Sequence, residues 1–222
     1  VGPSKITSTT SWRQIAEPRE LTIEEIQRIV RKYAEAADRG KRAGYDAIEL
    51  HMAHGYLPHS FIAEKTNQRT DQYGGSLENR LRFPLEIVQA VKDAVGKDFP
   101  IICQFSAEGG YDFSVGMSIA QELEKAGADA LHVSIGGVGP ISVIPRDQSH
   151  MARPQGYLAP FAEAIKKQSN LPVITVGEIK DPHFAEEILA AGQADFVAVG
   201  RSLIADPDWP RKAEHGHADE IR

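Results

Sequence analysis

Apolar positions along the chain recur with two alternating periods. Ile26, Ile29, Val30, Tyr33, Ala34 and Ala37 repeat at helical spacing. Just before them, Thr22-Ile-Glu-Glu25 forms a capping box, in which the threonine oxygen and the glutamate carboxylate each satisfy an N–H that a first helical turn leaves without a partner. The pattern predicts a helix of about five turns ending near Ala43-Gly44, where Gly44 is free to take the left-handed cap conformation. A strand follows over residues 46–51. The same transition recurs at 125–134 and 190–199: glycine closes a helix, aspartate sits in the turn, and an apolar strand begins. Two more strands, 100–105 and 172–177, open on proline, which the first position of a strand tolerates because little depends on its missing N–H. Five strands result, each followed by a helix.

Apolar strands alternating with amphipathic helices describe a parallel sheet covered by helices, and both doubly wound sheets and closed barrels fit. The barrel is favoured because His51, Gln104, Ser134, Gly177 and Gly200 all stand at or just beyond a strand's carboxyl end, the functional face of a (β/α)8 barrel. Such a barrel has eight strands in about 250 residues. The expectation is therefore an α/β chain that is the C-terminal part of a TIM barrel, one partial domain over 1–222 supplying βα units four to eight.

Composition narrows the chemistry. A chain of 222 residues, 41% apolar and 25% charged, is ordinary for a water-soluble globular domain. No apolar run approaches the roughly 20 residues of a membrane span, and the polar start does not read as a secretory signal, so the expected compartment is the cytoplasm. The net charge of −6 comes from acidic residues interspersed with basic ones, which argues against a nucleic-acid partner. Cys103 is the sole cysteine; it excludes an internal disulfide and reads as a buried thiol.

The densest group of titratable side chains is Glu49-Leu-His51-Met-Ala-His54-Gly-Tyr56. Two imidazoles leaving a strand three residues apart can aim N–H groups at one oxygen, with a phenol beside them. They can equally cap a strand or fill a polar loop. A catalytic zinc site would need a third protein ligand, and no HExxH pattern is present, so no metal is expected. Farther on, Gly177-Glu178 and Gly200-Arg201 each follow a buried strand. Successive backbone N–H groups there, assisted by the next helix N-terminus, suit an anion, as in barrels that hold phosphate after strands seven and eight. Glycine for tight turns is an equal alternative. The polar segment from Arg69 to Arg80 is read as structural: Gly74-Gly75 turn the chain, Ser76 caps a helix, and Pro84 should kink or restart it.

His51-Met-Ala-His-Gly-Tyr-Leu-Pro-His59, with Asn67-Gln-Arg-Thr-Asp-Gln-Tyr-Gly-Gly-Ser-Leu-Glu-Asn-Arg80, closely resembles the signature of the old yellow enzyme family. It is most similar to the branch of bacterial ene-reductases and 2,4-dienoyl-CoA reductases. The resemblance continues through Pro18-Arg-Glu-Leu-Thr22 and Glu108-Gly-Gly110 to Val199-Gly-Arg-Ser-Leu-Ile-Ala-Asp-Pro-Asp-Trp209. It implies a TIM barrel holding FMN, reduced by NADH or NADPH, that passes hydride to the β-carbon of an activated alkene or enoyl-CoA. It also implies that His51 and His54 hydrogen-bond the substrate carbonyl, that Tyr56 protonates the α-carbon, and that Gly177, Gly200 and Arg201 surround the FMN phosphate, with Glu178 and Gln104 also among the cofactor-binding residues. Gln104 departs from the pattern, since relatives carry arginine or lysine there beside the flavin. The loop 136–155, with His150 and Arg153, could meet an acyl-CoA or a nicotinamide. Two other readings stay open: a non-catalytic barrel fragment that associates through open sheet edges with itself or a chain supplying strands, and a flavin-free phosphate-binding barrel enzyme.

Overall fold

The computed structural model describes residues 1–5, 9–10, 13–14, 17–136 and 153–222. Two short antiparallel strands, Thr9–Thr10 (β1) and Arg13–Gln14 (β2), precede helix α1, Ile23–Arg42. The capping box forms as expected: Thr22 Oγ1 accepts from Glu25 N–H at 3.2 Å, and the Glu25 carboxylate accepts from Thr22 N–H at 3.0 Å. Gly44 then takes φ 91°.

Five parallel strands form the sheet: β3 Ile48–Met52, β4 Ile101–Ser106, β5 Ala130–Ser134, β6 Val173–Val176 and β7 Phe196–Ala198. Their spatial order is β3-β4-β5-β6-β7, the order of the chain. A doubly wound sheet reverses direction at a switch point, whereas a barrel adds each strand beside the last. The sequential order therefore resolves the choice that periodicity left open, in favour of an arc of five barrel units. Helices α2 Leu57–Ile62, α3 Leu77–Val95, α4 Phe113–Lys125, α5 Ala159–Lys166, α6 Pro182–Ala190, α7 Arg201–Ala205 and α8 Trp209–Glu214 fill the connections and the end of the chain.

Register assigns each strand residue to a face. Leu50, Met52, Ile101, Cys103, Phe105, Leu131, Val133 and Val173 share the buried face and join the helices in one core. The opposite face carries Glu49, His51, Gln104 and His132, with Ile174 and Phe196 beyond them.

The recurring turn aspartates have a measurable task. Asp129 Oδ2, just before β5, accepts the N–H of Ile101 that opens β4 (2.8 Å) and pairs with Lys92 Nζ (2.6 Å). Asp195 Oδ2, just before β7, accepts the N–H of Val173 that opens β6 (2.9 Å). Pro100 and Pro172 stand one residue ahead of these strands rather than within them.

Two expectations need correction. Helix α3 runs unbroken through Pro84, which is buried beside Phe83 and Ile87, so packing outweighs the roughly 3 kcal/mol a proline costs a helix interior. The first sheet strand begins at Ile48, not at residue 46. The 69–80 segment is structural, as read. The buried Arg69 guanidinium donates to the carbonyls of Pro3 (3.0 Å) and Leu21 (2.7 Å), and Arg80 Nε donates to Ile62 O (2.8 Å) at the end of α2. Asn67 Nδ2 donates to Phe61 O and Tyr73 O. These bonds brace α2, whose first residue follows Tyr56.

Candidate active site

Beyond β3 the chain turns sharply. His54 has φ 58° and Gly55 φ 82°, two left-handed residues in succession. The turn is held by His59, fully buried on α2, whose Nδ1 accepts the Gly55 N–H at 2.7 Å. Burial, the first cause, pushes the His59 pKa down to about 4, so the ring is neutral and Nδ1 is free to accept. A second brace is Ser106 Oγ, which accepts the His54 N–H (3.3 Å) and donates to Gly136 O (2.6 Å). This framework gathers three rings: His51 lies 5.1 Å from His54 and 5.0 Å from Tyr56 between centroids, and Tyr56 is 63% exposed, its phenol open to a ligand.

The two histidines are not equivalent. His51 Nδ1 is hydrogen-bonded to the Gln104 carboxamide across the β3–β4 register. His54 Nε2 is 2.6 Å from Ser134 Oγ at the end of β5. Partial burial, with His51 and His132 close by, lowers the His54 pKa, which keeps it neutral at pH 7. A neutral His54 can donate to a ligand through Nδ1 when Ser134 donates its hydroxyl to Nε2.

His54 and Ser134 also line a cavity of ≈ 730 Å³ whose other walls include Tyr157, Gly177, Glu178, Lys180, Gly200, Arg201 and Arg222. Gly177, Glu178, Gly200 and Arg201 thus converge from the ends of β6 and β7 as the sequence implied. Tyr56, His51 and Gln104 sit beside this cavity rather than in its lining. Among the described residues, His54 and Glu178 (φ 54°) are the two non-glycine residues with positive φ. Both line this cavity. Such strain, about 1–3 kcal/mol each, collects at functional sites.

The cavity's electrostatics differ from expectation in one respect. Asp181 already caps α6, accepting the His183 N–H at 2.9 Å, and α7 has five residues, so helix termini contribute little. Positive charge comes instead from Lys180, Arg201 and Arg222, against the single carboxylate of Glu178. Glu178 is buried; desolvation raises its pKa, but Arg201 and Lys180 outweigh that and hold it below the usual carboxylate value. It pairs with Arg201, and with Lys180 at 3.3 Å. As an anion it cannot contact phosphate favourably; it organises the two cations. Arg222 had no sequence signal.

The glycines at these two corners are not equivalent. Gly177 has φ 130°, and a Cβ there would lie 3.0 Å from the Tyr157 ring. Gly200 has φ −111° and a Cβ would meet nothing within 4 Å. Neither strain nor packing among the described residues calls for glycine at 200. Of the loop 136–155, residues 137–152, including His150, lie outside the described residues; Arg153 stacks over Tyr157 at 4.8 Å. Among the described residues no cluster of three or more His, Cys, Asp or Glu could hold a metal ion, and no helix is long and apolar enough to cross a membrane.

Sequential parallel strands with a cationic cavity at their carboxyl ends define a ligand-binding α/β barrel protein. Residues 2–220 match the NADH:flavin oxidoreductase / NADH oxidase family, to which the chain belongs. It is 53% identical over 210 residues to an NADH oxidase of Thermoanaerobacter brockii, covering 93% of this chain and 32% of that protein. It is 39% identical over 206 residues to an NADPH dehydrogenase of Bacillus subtilis, covering 90% and 57%. Among solved structures, a 2-naphthoyl-CoA reductase bound to 2-naphthoyl-CoA superposes with a TM-score of 0.91 at 31% identity, covering all of this chain and 34% of that one. Morphinone reductase in complex with tetrahydroNAD gives 0.73 at 35% identity, covering 93% and 53%. The chain thus spans about a third to a half of the length of these relatives. FMN, with NADH or NADPH as reductant, is the cofactor set of the family.

Proposed function

We propose that this chain carries the substrate-activating and phosphate-holding part of an FMN-dependent ene-reductase acting on α,β-unsaturated carbonyl compounds, enoyl-CoA among them. The observation that carries the reading is the placing of His54 and Tyr56 each about 5 Å from His51, where β3 runs into a strained turn that borders the cationic cavity. Gly177, Gly200, Lys180, Arg201 and Arg222 would hold the FMN phosphate. Bound flavin supplies a hydride, taken from NADH or NADPH, to the alkene β-carbon. The residues of this chain do the rest. His51 and His54 donate hydrogen bonds to the carbonyl oxygen, where negative charge builds as hydride arrives. Tyr56 gives its phenolic proton to the α-carbon as a general acid.

Anaerobic stopped-flow separates the two half-reactions. Tyr56→Phe should slow reoxidation of flavin by an unsaturated ketone about 10²- to 10⁴-fold, the usual contribution of a general acid. Its reduction by NADPH should change little. Equal loss of both would mean that the tyrosine is misassigned, and protein that takes up no FMN would remove the reading for this chain.

A second reading is favoured by one observation: among the described residues β3 and β7 each have a single hydrogen-bonded neighbour, and Phe196 is 56% exposed on the face away from the helices. Open parallel edges invite pairing. On this reading the chain completes its sheet by association, with itself or with a chain supplying strands. Sedimentation showing a well-folded monomer that binds FMN would overturn it.

A further inference from the structure

Glu49, His51, Gln104 and His132 occupy one face of three adjacent strands. The register sets His51 beside Gln104 and Gln104 beside His132. Glu49 Oε2 lies 2.8 Å from His132 Nδ1, the Gln104 carboxamide nitrogen lies 3.4 Å from the same Nδ1, and the carboxamide oxygen faces His51 Nδ1.

Hydrogen-bond chemistry fixes where the protons sit. A ring nitrogen 2.8 Å from a carboxylate oxygen carries a proton whether the ring is neutral or charged. His132 Nδ1 is therefore a donor, and a carboxamide N–H aimed at it sets donor against donor. A half-turn of the Gln104 carboxamide exchanges its oxygen and nitrogen while leaving the outline of the side chain unchanged. The carboxamide oxygen then takes a minor share of the one His132 Nδ1 proton, whose main acceptor is Glu49, and the N–H donates to His51 Nδ1. That nitrogen must be bare, so the His51 proton resides on Nε2. His132 Nε2 agrees with this arrangement: it is buried without a partner, and a neutral ring protonated on Nδ1 leaves only a lone pair there, the cheaper group to strand.

We propose that Glu49 is a positioning residue which, through His132 and Gln104, fixes His51 as the Nε2–H tautomer. Among the described residues His51 Nε2 has no partner, so it is free to donate. The value of that donor for substrate rests on the carbonyl role given to His51 above; the tautomer itself does not. The relay also gives residue 104 a reason to be glutamine. It must accept on one side and donate on the other, and an arginine, with donors only, would leave the His132 side unmatched.

Histidine-labelled protein, read by long-range proton–nitrogen NMR at pH 7.5 and assigned with His51→Asn, tests the relay. In the unsubstituted protein His51 should show the proton on Nε2. Gln104→Glu puts a carboxylate against Nδ1 and should move the proton to Nδ1. Glu49→Leu should give a mixture of tautomers, and Glu49→Gln, which can still accept from His132, should restore the single form. Circular dichroism identifies any variant that has failed to fold, and the unsubstituted spectrum stands without them. A proton on Nδ1 in the unsubstituted protein, or an unchanged His51 pattern in folded Glu49→Leu, overturns the proposal. Should the spectra behave as expected while His51→Ala leaves binding of a phenol probe unchanged, the relay stands and the carbonyl role of His51 fails.

Discussion

Acidification should release the turn that carries His54, and His59 sets the size of the effect. Its ring is fully buried and its Nδ1 can accept the Gly55 N–H only while unprotonated. Burial holds its pKa at about 4, against 6.5 for a histidine in an unfolded chain. Between these values the unfolded state binds more protons than the folded one, so stability rises with pH. The contribution is fully present above pH 6.5 and is lost as the pH falls to 4. At 1.36 kcal/mol per tenfold change in proton affinity, the loss is about 3 kcal/mol. His59→Asn keeps an acceptor near the position of Nδ1 but does not titrate. It should be less stable than the unsubstituted protein at pH 7.5, because the smaller side chain leaves a void, yet lose about 3 kcal/mol less between pH 7 and pH 4. Urea denaturation across that range, followed by circular dichroism, gives both slopes. Carboxylates that titrate in the same window are common to the two proteins and cancel in the difference. Parallel pH profiles would refute the reasoning, because they would mean that the buried ring takes up its proton as readily folded as unfolded.

Three further outcomes follow from the same structure. Gly177→Ala should cost about 1–3 kcal/mol of stability, since alanine must adopt φ 130° against the Tyr157 ring. Gly200→Ala should leave stability within about 0.5 kcal/mol while weakening FMN uptake at least about tenfold, and equal thermal losses in the two would remove the distinction. Cys103, whose pKa burial raises to about 12, should resist alkylation at pH 8 until the chain is unfolded, and rapid labelling of folded protein would contradict its place in the core.

Much of the fold was legible because local chemistry repeats. The Thr22 box, the Gly44 cap and the aspartates before three of the five strands are short-range signals, and each appears where the sequence places it. Strand order was not legible, since hydrophobic period says which residues are buried but not which strand lies beside which. The six-residue helix α2 was missed because Pro58 and His59 read as part of the motif before them. In the site, His51, His54 and Tyr56 stood out as neighbours in sequence. Glu49 stood in the same titratable group, two residues before His51 and so on the same side of β3, but its partner His132 gave no signal. His132 came to them only through pairing across β4. The partnership of Glu178 with Arg201 was equally out of reach, because it joins two loops 23 residues apart.

The turn aspartates carry a consequence for how the molecule is made. Asp129 secures an N–H 28 residues before it, and Asp195 one 22 residues before it. A ribosome delivers β4 and β6 well ahead of the carboxylates that fasten their first residues. Assembly is therefore stitched backwards, each later unit latching the start of an earlier one. A nascent chain halted between Ile101 and Asp129 would hold β4 with its opening N–H answered by water alone.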